Sequence, residues 1–376
     1  MTEHQHQSLL SIQVLRACAA LGVTIPHLVG YEFVRKQGLI DALPGFTLGY
    51  AGVDVFFVIS GFVMVYSSEP LFERANAARE FVLRRLARIV PLYWITTSLI
   101  LAYLLVHYGD LSTAKFSWRA VVGSYLFIPV AQTDGYMAPV HGVGWTLNYE
   151  MFFYVCFSLA LLFSRRTGVL LVAAALTLFA AVNLVAPLPN PFGYWADPII
   201  LEFVFGMLIA LGFRNGIRMP RPIAAGALLL ALGAIAASTR WADVHRVIAW
   251  GVPSAVIVAA LVLSRATAKP GPVQRGLNLL GNASYSLYLV HPWAITLPRR
   301  FFPQLLNPAQ WPWLAAALVL AFTLGLSLLV HLLVERPITR KLQRQVTSWF
   351  RDESRMPPAG DQHSLPERQA NMPVRP

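Results

Sequence analysis

The chain has 376 residues, of which 56% are hydrophobic and only 13% charged, and its mean hydropathy is +0.55. A soluble domain usually carries about 25% charged residues, so this composition argues against a soluble globular protein and favours a membrane around the apolar runs. The formal net charge of +12 would suit nucleic acid, but no basic run is interleaved with aromatic residues, so we expect no nucleic-acid partner.

Apolar segments of the length needed to cross a bilayer recur along the chain. A shorter apolar segment, residues 120–130, is predicted to be re-entrant or to lie at the membrane surface. The pattern predicts an all-α fold, a polytopic bundle of about ten transmembrane helices. The predicted spans are residues 11–30, 46–67, 89–108, 145–164, 168–187, 197–213, 222–239, 247–264, 279–297 and 313–334.

Basic residues are distributed unevenly between the loops of this bundle. Seventeen Lys and Arg residues fall in the loops on one side and eight on the other. Cytoplasmic loops carry the excess of basic residues, so the richer side is predicted to be cytoplasmic, and an even number of spans places both termini there. We expect one membrane domain over residues 1–345 and a disordered cytoplasmic tail over residues 346–376, which is rich in Pro and charge.

Two ionisable residues lie in the first predicted helix. Arg16 and His27 are eleven residues apart, close to three helical turns, so they share a face and are separated by roughly 16 Å along the axis. Ionisable groups within a bilayer are costly and generally mark a functional interior. The alternative is that Arg16 extends to the headgroups and His27 caps a loop.

Three further ionisable residues fall inside or next to predicted spans. Asp54 needs a cation or a donor from a neighbouring helix, and the alternative to a functional role is a buried ion pair. Glu150 and His291 are predicted to lie near the outer side, at a depth similar to that of His27. A carboxylate beside a histidine is the arrangement that orients a general base.

A cluster of arginines opens the third predicted helix on the cytoplasmic side. Arg84 and Arg88, and also Arg85 and Arg88, have the spacing of residues on one helix face. Guanidinium groups form paired, charge-assisted hydrogen bonds with phosphates. The alternative is ordinary positive-inside charge or contact with lipid headgroups. Cys18 and Cys156 lie within predicted helices, and we expect neither a disulfide nor a metal site.

Six segments, taken in order, resemble the acyltransferase-3 family of bacterial membrane acyltransferases, over roughly residues 8–345. The chain departs from the family's pattern at Thr146, where Ser is commoner, and at Cys18, where small residues are usual. The segments are residues 15–17 followed by His27, then residues 52–62, 84–93, 144–154, 284–291 and 335–337.

This resemblance implies an activity. Family members move an acyl group, usually acetyl, from a cytoplasmic acyl-coenzyme A (acyl-CoA) to a hydroxyl, often on a surface or exported sugar. The resemblance therefore implies acyl-CoA (acetyl-CoA) as donor substrate, a glycan or lipid-linked sugar as acceptor, contact with membrane lipids, and a place in the inner membrane. The family's arginine and histidine match Arg16 and His27, and its arginine pair matches Arg85 and Arg88. Residues 11–16 look most like members that decorate exopolysaccharides.

These observations assign a role to each polar residue. His27 would act as general base on the sugar hydroxyl, or would itself carry the acyl group briefly. The assigned catalytic residues are His27, Glu150, Asp54 and His291, and the assigned donor-binding residues are Arg16, Arg84, Arg85 and Arg88. Two other classes of protein stay open on the residues alone: a transporter or flippase of sugars or lipids, and a non-catalytic subunit of a polysaccharide synthase.

Overall fold

The fold is that of a computed structural model, which describes residues 3–30, 46–111, 115–238, 244–264, 271–301 and 311–353. The described part of the chain is helical and contains no β-strand, which confirms the all-α fold. Its α-helices, in chain order, are α1 Glu3–Gly30, α2 Gly52–Ser67, α3 Ala77–Tyr108, α4 Trp118–Leu126, α5 Trp145–Ala160, α6 Arg165–Val185, α7 Phe192–Trp195, α8 Leu201–Arg214, α9 Arg221–Ala237, α10 Val252–Leu263, α11 Pro272–Asn282, α12 Ser284–Phe301, α13 Pro312–Val330 and α14 Arg336–Glu353.

Five stretches of the described helices are long and apolar enough to cross a membrane. Two shorter apolar helices, Arg221–Ala237 and Val247–Leu263, accompany them. The chain is therefore a membrane protein, while the prediction of about ten spans is not confirmed. The five stretches are Leu10–Val29, Leu48–Ser67, Ala77–Tyr108, Arg165–Val185 and Trp313–Phe350.

Large apolar side chains cover the outward faces of several helices. Leu99 on α3, Leu178 on α6, Leu230 on α9 and Leu333 after α13 are all more than half exposed. A soluble monomer rarely exposes apolar surface on this scale, and lipid is the natural cover for it.

The structure differs from the predicted spans in three places. Helix α3 begins at Ala77, twelve residues before the predicted start at residue 89, so it includes the arginine cluster. The predicted span 279–297 is divided into two helices at Ala283. The last helix continues to Glu353, past the predicted domain boundary at residue 345, and the rest of the predicted tail, residues 354–376, lies outside the described residues. Apolar length alone could not predict these ends, because each polar extension is held by packing inside the protein.

Two short π-helical segments interrupt the regular helices. Val247–Gly251 precedes α10, and His331–Glu335 joins α13 to α14. The segment 120–130, predicted too short to span, contains α4, which has nine residues. A helix of that length extends only about 14 Å, less than half of a bilayer core.

Helices α2 and α8 cross in close contact through glycines. A Cβ atom on Gly206 would lie 2.0 Å from the carbonyl oxygen of Val58, and one on Gly61 would lie 2.1 Å from that of Phe203. Small residues at such crossings let two membrane helices approach closely. Beside the crossing, the rings of Phe153 and Phe203 stack with centroids 4.4 Å apart.

We expect Gly206→Ala to destabilise the protein by about 1–3 kcal/mol, because the new methyl group would meet backbone atoms that cannot rotate away. Thermal unfolding of the purified protein in detergent measures this loss. Gly226→Ala on α9 is the matched control, since no atom lies within 4 Å of the Cβ position there. Equal stability of the two variants would contradict a tight α2–α8 crossing.

Candidate active site

A cavity lies between α1, α2, α3, α5 and α12, in a space of about 790 Å³ that is partly open to solvent. The walls combine apolar side chains from α2 with charged and hydroxyl-bearing groups from the other helices. Its most polar lining residues are Arg16, Arg85, Arg88, Glu150, Tyr154 and Tyr288. A largely apolar pocket with a few convergent polar groups is the usual form of a small-molecule site.

Three arginines give the cavity an excess of positive charge. Arg16 on α1 donates from Nε to Ser284 Oγ at 3.1 Å, which ties α1 to the start of α12. Arg85 donates from Nη2 to Ser67 Oγ at 3.0 Å, and its guanidinium lies 5.4 Å from the ring centre of Phe81. The structure therefore brings Arg16, Arg85 and Arg88 together around one space, and such a group suits phosphate oxygens.

Arg84 is not part of this cavity. Its Nη2 pairs with Glu80 Oε1 at 2.5 Å, and Glu80, which is buried, also pairs with Arg74. The spacing along α3 places Arg84 on the same face as Arg88, but Glu80 lies one turn before Arg84 and engages it instead. The donor-binding role assigned to Arg84 from the sequence is therefore not supported by its position.

Glu150 lies with the arginines and not with the histidines. Its carboxylate accepts hydrogen bonds from Ser60 Oγ at 3.1 Å and from the Tyr154 hydroxyl. Arg16 and Arg85 interact electrostatically with it across the cavity. The predicted grouping of Glu150 with His27 and His291 is not supported by these contacts, because distance from a helix end indicates neither the tilt of the helix nor the face that points inward.

His27 and His291 form a pair, with ring centroids 4.9 Å apart. Tyr50 packs edge-on against His27 at 5.0 Å, and the His291 ring is completely buried. Helices α1 and α12 thus place the two imidazoles side by side, a contact that the similar depth predicted for them allows but does not by itself imply.

Hydrogen bonds to the backbone decide the protonation pattern of both rings. Nδ1 of His27 lies 2.8 Å from the carbonyl oxygen of Val23, and Nδ1 of His291 lies 3.1 Å from that of Leu287. A carbonyl only accepts, so each Nδ1 carries the hydrogen and each neutral ring presents an Nε2 lone pair. Nε2 of His291 is buried and meets no hydrogen-bond partner among the described residues.

Tyr288 connects the arginine-lined cavity to the histidine pair. Its ring lines the cavity, and the ring centroid lies 6.1 Å from that of His291. The hydroxyl group is fixed by bonds to Thr146 Oγ1 and to the carbonyl oxygen of Val143, both at 3.0 Å. Neither histidine lines the cavity itself, and Tyr288 is the lining residue whose ring lies beside His291.

Asp54 is engaged by a guanidinium and not by a histidine. Arg246 Nε donates to Asp54 Oδ1 at 3.0 Å and Arg246 Nη2 donates to Oδ2 at 2.7 Å, a two-pronged pair. Asp54 is completely buried. The catalytic role assigned to Asp54 is not supported by contact with either histidine, and the buried ion pair that the sequence left open is what the structure contains.

The surroundings of Arg246 form a second polar cluster. The guanidinium lies 4.7 Å from the ring centre of Trp250, and Nη2 also approaches the carbonyl oxygen of Tyr50 at 3.4 Å. Glu202 on α8 is completely buried beside this pair and interacts electrostatically with both Asp54 and Arg246. Through Tyr50, the cluster supports the wall against which His27 packs.

Three of these residues received no role from the sequence. Arg246 was predicted to be a loop residue, and no role was predicted for Glu202, which lies within the predicted span 197–213. Glu335, in the last matching segment, accepts hydrogen bonds from Ser286 Oγ at 2.6 Å and from His331 Nδ1 at 2.8 Å. A search for every carboxylate inside a predicted span would have found Glu202 and pointed to the need for a cation.

Comparison with known proteins gives a family and three curated relatives. The sequence profile of the acyltransferase-3 family, described as an acyltransferase domain, matches residues 9–332. The exopolysaccharide production protein ExoZ of Rhizobium meliloti (strain 1021) is 36% identical over 315 residues, which cover 81% of this chain and 94% of ExoZ. No solved structure gives a significant match to the chain.

The other two relatives are more distant but also match over most of their length. The acyltransferase MdmB of Streptomyces mycarofaciens is 29% identical over 368 residues, covering 89% of this chain and 92% of MdmB. Nodulation protein 10 of Rhizobium leguminosarum bv. viciae is 28% identical over 324 residues, covering 77% of this chain and 83% of that protein. The match to the family profile over nearly all of the described helices, together with the similarity to ExoZ, shows that this chain is an acyltransferase and belongs to the acyltransferase-3 family.

Proposed function

We propose that this acyltransferase moves an acyl group, acetyl as the first candidate, from cytoplasmic acyl-CoA to a hydroxyl of an exported or cell-surface glycan of the exopolysaccharide or O-antigen type. The observation that supports the proposal is the arginine-lined cavity, whose wall includes Tyr288, the neighbour of His291 in the histidine pair. The protein would lie in the bacterial inner membrane with both termini in the cytoplasm, as the excess of basic residues in one set of loops favours.

The donor end of the site is the group of three arginines. Coenzyme A carries several phosphate charges at one end of a long thin arm, and Arg16, Arg85 and Arg88 supply guanidinium groups that can pair with them. Among the described residues, Glu150 is the one carboxylate that lines the cavity. Three guanidinium groups face it, so the cavity keeps a net positive charge that favours an anion. The apolar wall from α2 would then accommodate the uncharged arm, with the thioester toward the histidines.

The chemical step needs a base at the acceptor hydroxyl. His27 presents an unprotonated Nε2, which can take the hydroxyl proton as the oxygen attacks the thioester carbonyl. A C–O bond forms and the C–S bond breaks. The departing thiolate then receives the proton from His27, which leaves an ester and free coenzyme A. The alternative of an acyl group carried on His27 uses the same lone pair as nucleophile.

The choice of a glycan acceptor is supported by the relatives. ExoZ is named for exopolysaccharide production. The exposed apolar helices favour an acceptor reached at a membrane, either an exported polysaccharide or a lipid-linked sugar. Comparative mass spectrometry of surface glycans, with and without the gene, would identify the acylated sugar.

We expect Arg88→Ala to raise the KM for acyl-CoA by about 10–100-fold, because a hydrogen bond to a charged group contributes about 1.5–3 kcal/mol. Steady-state transfer by the purified protein in lipid nanodiscs measures this constant. Arg84→Ala, four residues earlier on α3, is the matched control, since Arg84 lies outside the cavity and its partner Glu80 keeps a second ion pair with Arg74.

The two arginine variants separate a donor site from general positive charge, since each removes one guanidinium from the same part of α3. An equal rise in KM for both would contradict the assignment of the cavity to the donor. Failure of the unaltered protein to transfer any acyl group from acyl-CoA would overturn the proposed function itself.

A further inference from the structure

A basic groove lies along α14, outside the cavity described above. It is bordered by Arg336, Arg340, Lys341 and Arg344, with Leu332 and Pro337 at one end. Its three arginines, Arg336, Arg340 and Arg344, are spaced four residues apart. They form one stripe with about 6 Å between successive positions along the helix axis. All four basic side chains are exposed.

No carboxylate neutralises these four charges within the described part of the chain. The ion pairs among the described residues involve other arginines and lysines, on α3, α6 and α8 for example. Four like charges in one groove repel one another, and this repulsion is relieved when an anion binds between them. The groove therefore suits a compact group that carries more than one negative charge.

The groove begins next to the network that lines the donor cavity. Glu335, one residue before Arg336, accepts a hydrogen bond from Ser286 on α12, and Ser284 two residues earlier accepts one from Arg16 of the cavity. Arg16 of the cavity and the residue next to the groove are thus both held by serines in the first turn of α12.

The far part of α14 also packs near the donor arginines. Phe350 is buried, and the guanidinium of Arg79 on α3 lies 5.8 Å from its ring centre. Arg85 and Arg88 follow on the same helix within three turns. Helix α14 therefore packs against the first turns of α3, the part of that helix that carries the donor arginines.

We propose that the α14 groove binds the ribose 3′-phosphate of the acyl-CoA donor, while the arginines of the cavity bind its pyrophosphate. This inference rests on the proposed function. A phosphomonoester carries close to two negative charges at neutral pH and three acceptor oxygens, which matches several convergent cations better than a phosphodiester does. Two separate basic regions match a donor whose phosphates lie at two separate places.

Binding of coenzyme A and of dephospho-coenzyme A, which lacks the 3′-phosphate, tests the inference directly. The full chain is placed in nanodiscs of zwitterionic lipid, and both dissociation constants are measured by calorimetry. We expect the unaltered protein to bind coenzyme A about 10–100-fold more tightly, and the variant carrying Arg340→Ala and Arg344→Ala to bind both nucleotides equally. Both side chains are exposed, so the substitutions leave the packing of α14 intact.

Arg275→Ala is the control, because it removes one exposed positive charge from α11 outside the groove. It should leave the preference for coenzyme A unchanged. A preference that survives the double substitution overturns the inference, and so does an unaltered protein that binds both nucleotides equally. In both cases the donor site in the cavity would stand. Absence of any coenzyme A binding would overturn the proposed donor as well.

A lipid headgroup is the competing ligand for such a groove. If the double substitution weakens binding to phosphatidylglycerol vesicles but leaves the nucleotide preference intact, the groove is a headgroup site and the inference is wrong.

Discussion

His27→Ala is expected to lower kcat for acyl transfer by about 10²–10⁴-fold, because a positioned general base typically contributes a factor of that size. The substitution removes the Nε2 lone pair that points away from the Val23 carbonyl, and leaves the arginines of the cavity in place. Transfer of radiolabelled acetyl from acetyl-CoA to the glycan, measured in nanodiscs, gives the rate. The dissociation constant of coenzyme A should change by less than threefold.

His107→Ala is the matched control for this experiment. His107 lies exposed in the last turn of α3, where its ring stacks on Tyr103, so its loss removes an imidazole that is remote from the cavity. We expect full activity from this variant. A decrease of less than about fivefold in His27→Ala would contradict a role for His27 in the chemical step, whichever of the two mechanisms operates.

Rapid-quench experiments distinguish direct transfer from a relay through His27. With donor alone, a relay would leave an acyl group on the protein, and this species would be absent from His27→Ala. Direct transfer predicts no covalent species at any time, because the thioester is attacked only by the acceptor hydroxyl.

The second large effect is expected at Arg246. Arg246→Ala should destabilise the protein by about 3–5 kcal/mol, because it leaves the completely buried Asp54 carboxylate without its cation. Glu202, buried beside the pair, adds a second carboxyl group that interacts with the same guanidinium. Chemical denaturation in detergent, or thermal unfolding followed by tryptophan fluorescence, would show the loss.

The double variant Arg246→Ala with Asp54→Asn provides the internal control. Removing both charges leaves a neutral amide where a carboxylate stood, so the double variant should be more stable than Arg246→Ala alone. If the loss of stability in the double variant instead equals the sum of the losses in the two single variants, the pair between Asp54 and Arg246 does not govern the stability of this region.

Local patterns in the sequence predicted most of the helices but not their partners. The apolar run around α2 predicted a helix, and the carboxylate within it predicted a cationic partner. The identity of that partner depends on a contact between residues 192 positions apart in the chain. Arg246 lies directly before a π-helical turn, and nothing in the sequence around it distinguishes it from an ordinary loop arginine.

The candidate site was predicted in part for the same reason. Arg16, Arg85 and Arg88 were grouped by charge and by helical spacing, and the structure brings them to one cavity. Glu150 was grouped with the histidines, and its contacts with Ser60 and Tyr154 could not be predicted because neither side chain carries a charge that marks it. Hydroxyl groups are common in membrane helices, so their pairing with a carboxylate is evident only once the helices are packed.

The role of Gly251 is likewise evident only once the helices are packed. A Cβ atom at this position would lie 2.7 Å from Glu202 Oε1, so the glycine leaves room for a buried carboxyl group. In the sequence it is one of 25 glycines and has no distinguishing neighbour.

The π-helical segment His331–Glu335 lets the chain absorb a change in length before the last helix. A π turn accommodates one residue more than an α turn spans, and successive α-helical residues are rotated by about 100°. Deletion of a single residue within this segment would restore α-helical pairing, and α14 would keep nearly the same face toward the rest of the protein. The same deletion inside α14 itself would turn every later residue by about 100° and break the line of the arginine stripe. Family members that are one residue shorter at the π segment should therefore still present the equivalent face of their last helix.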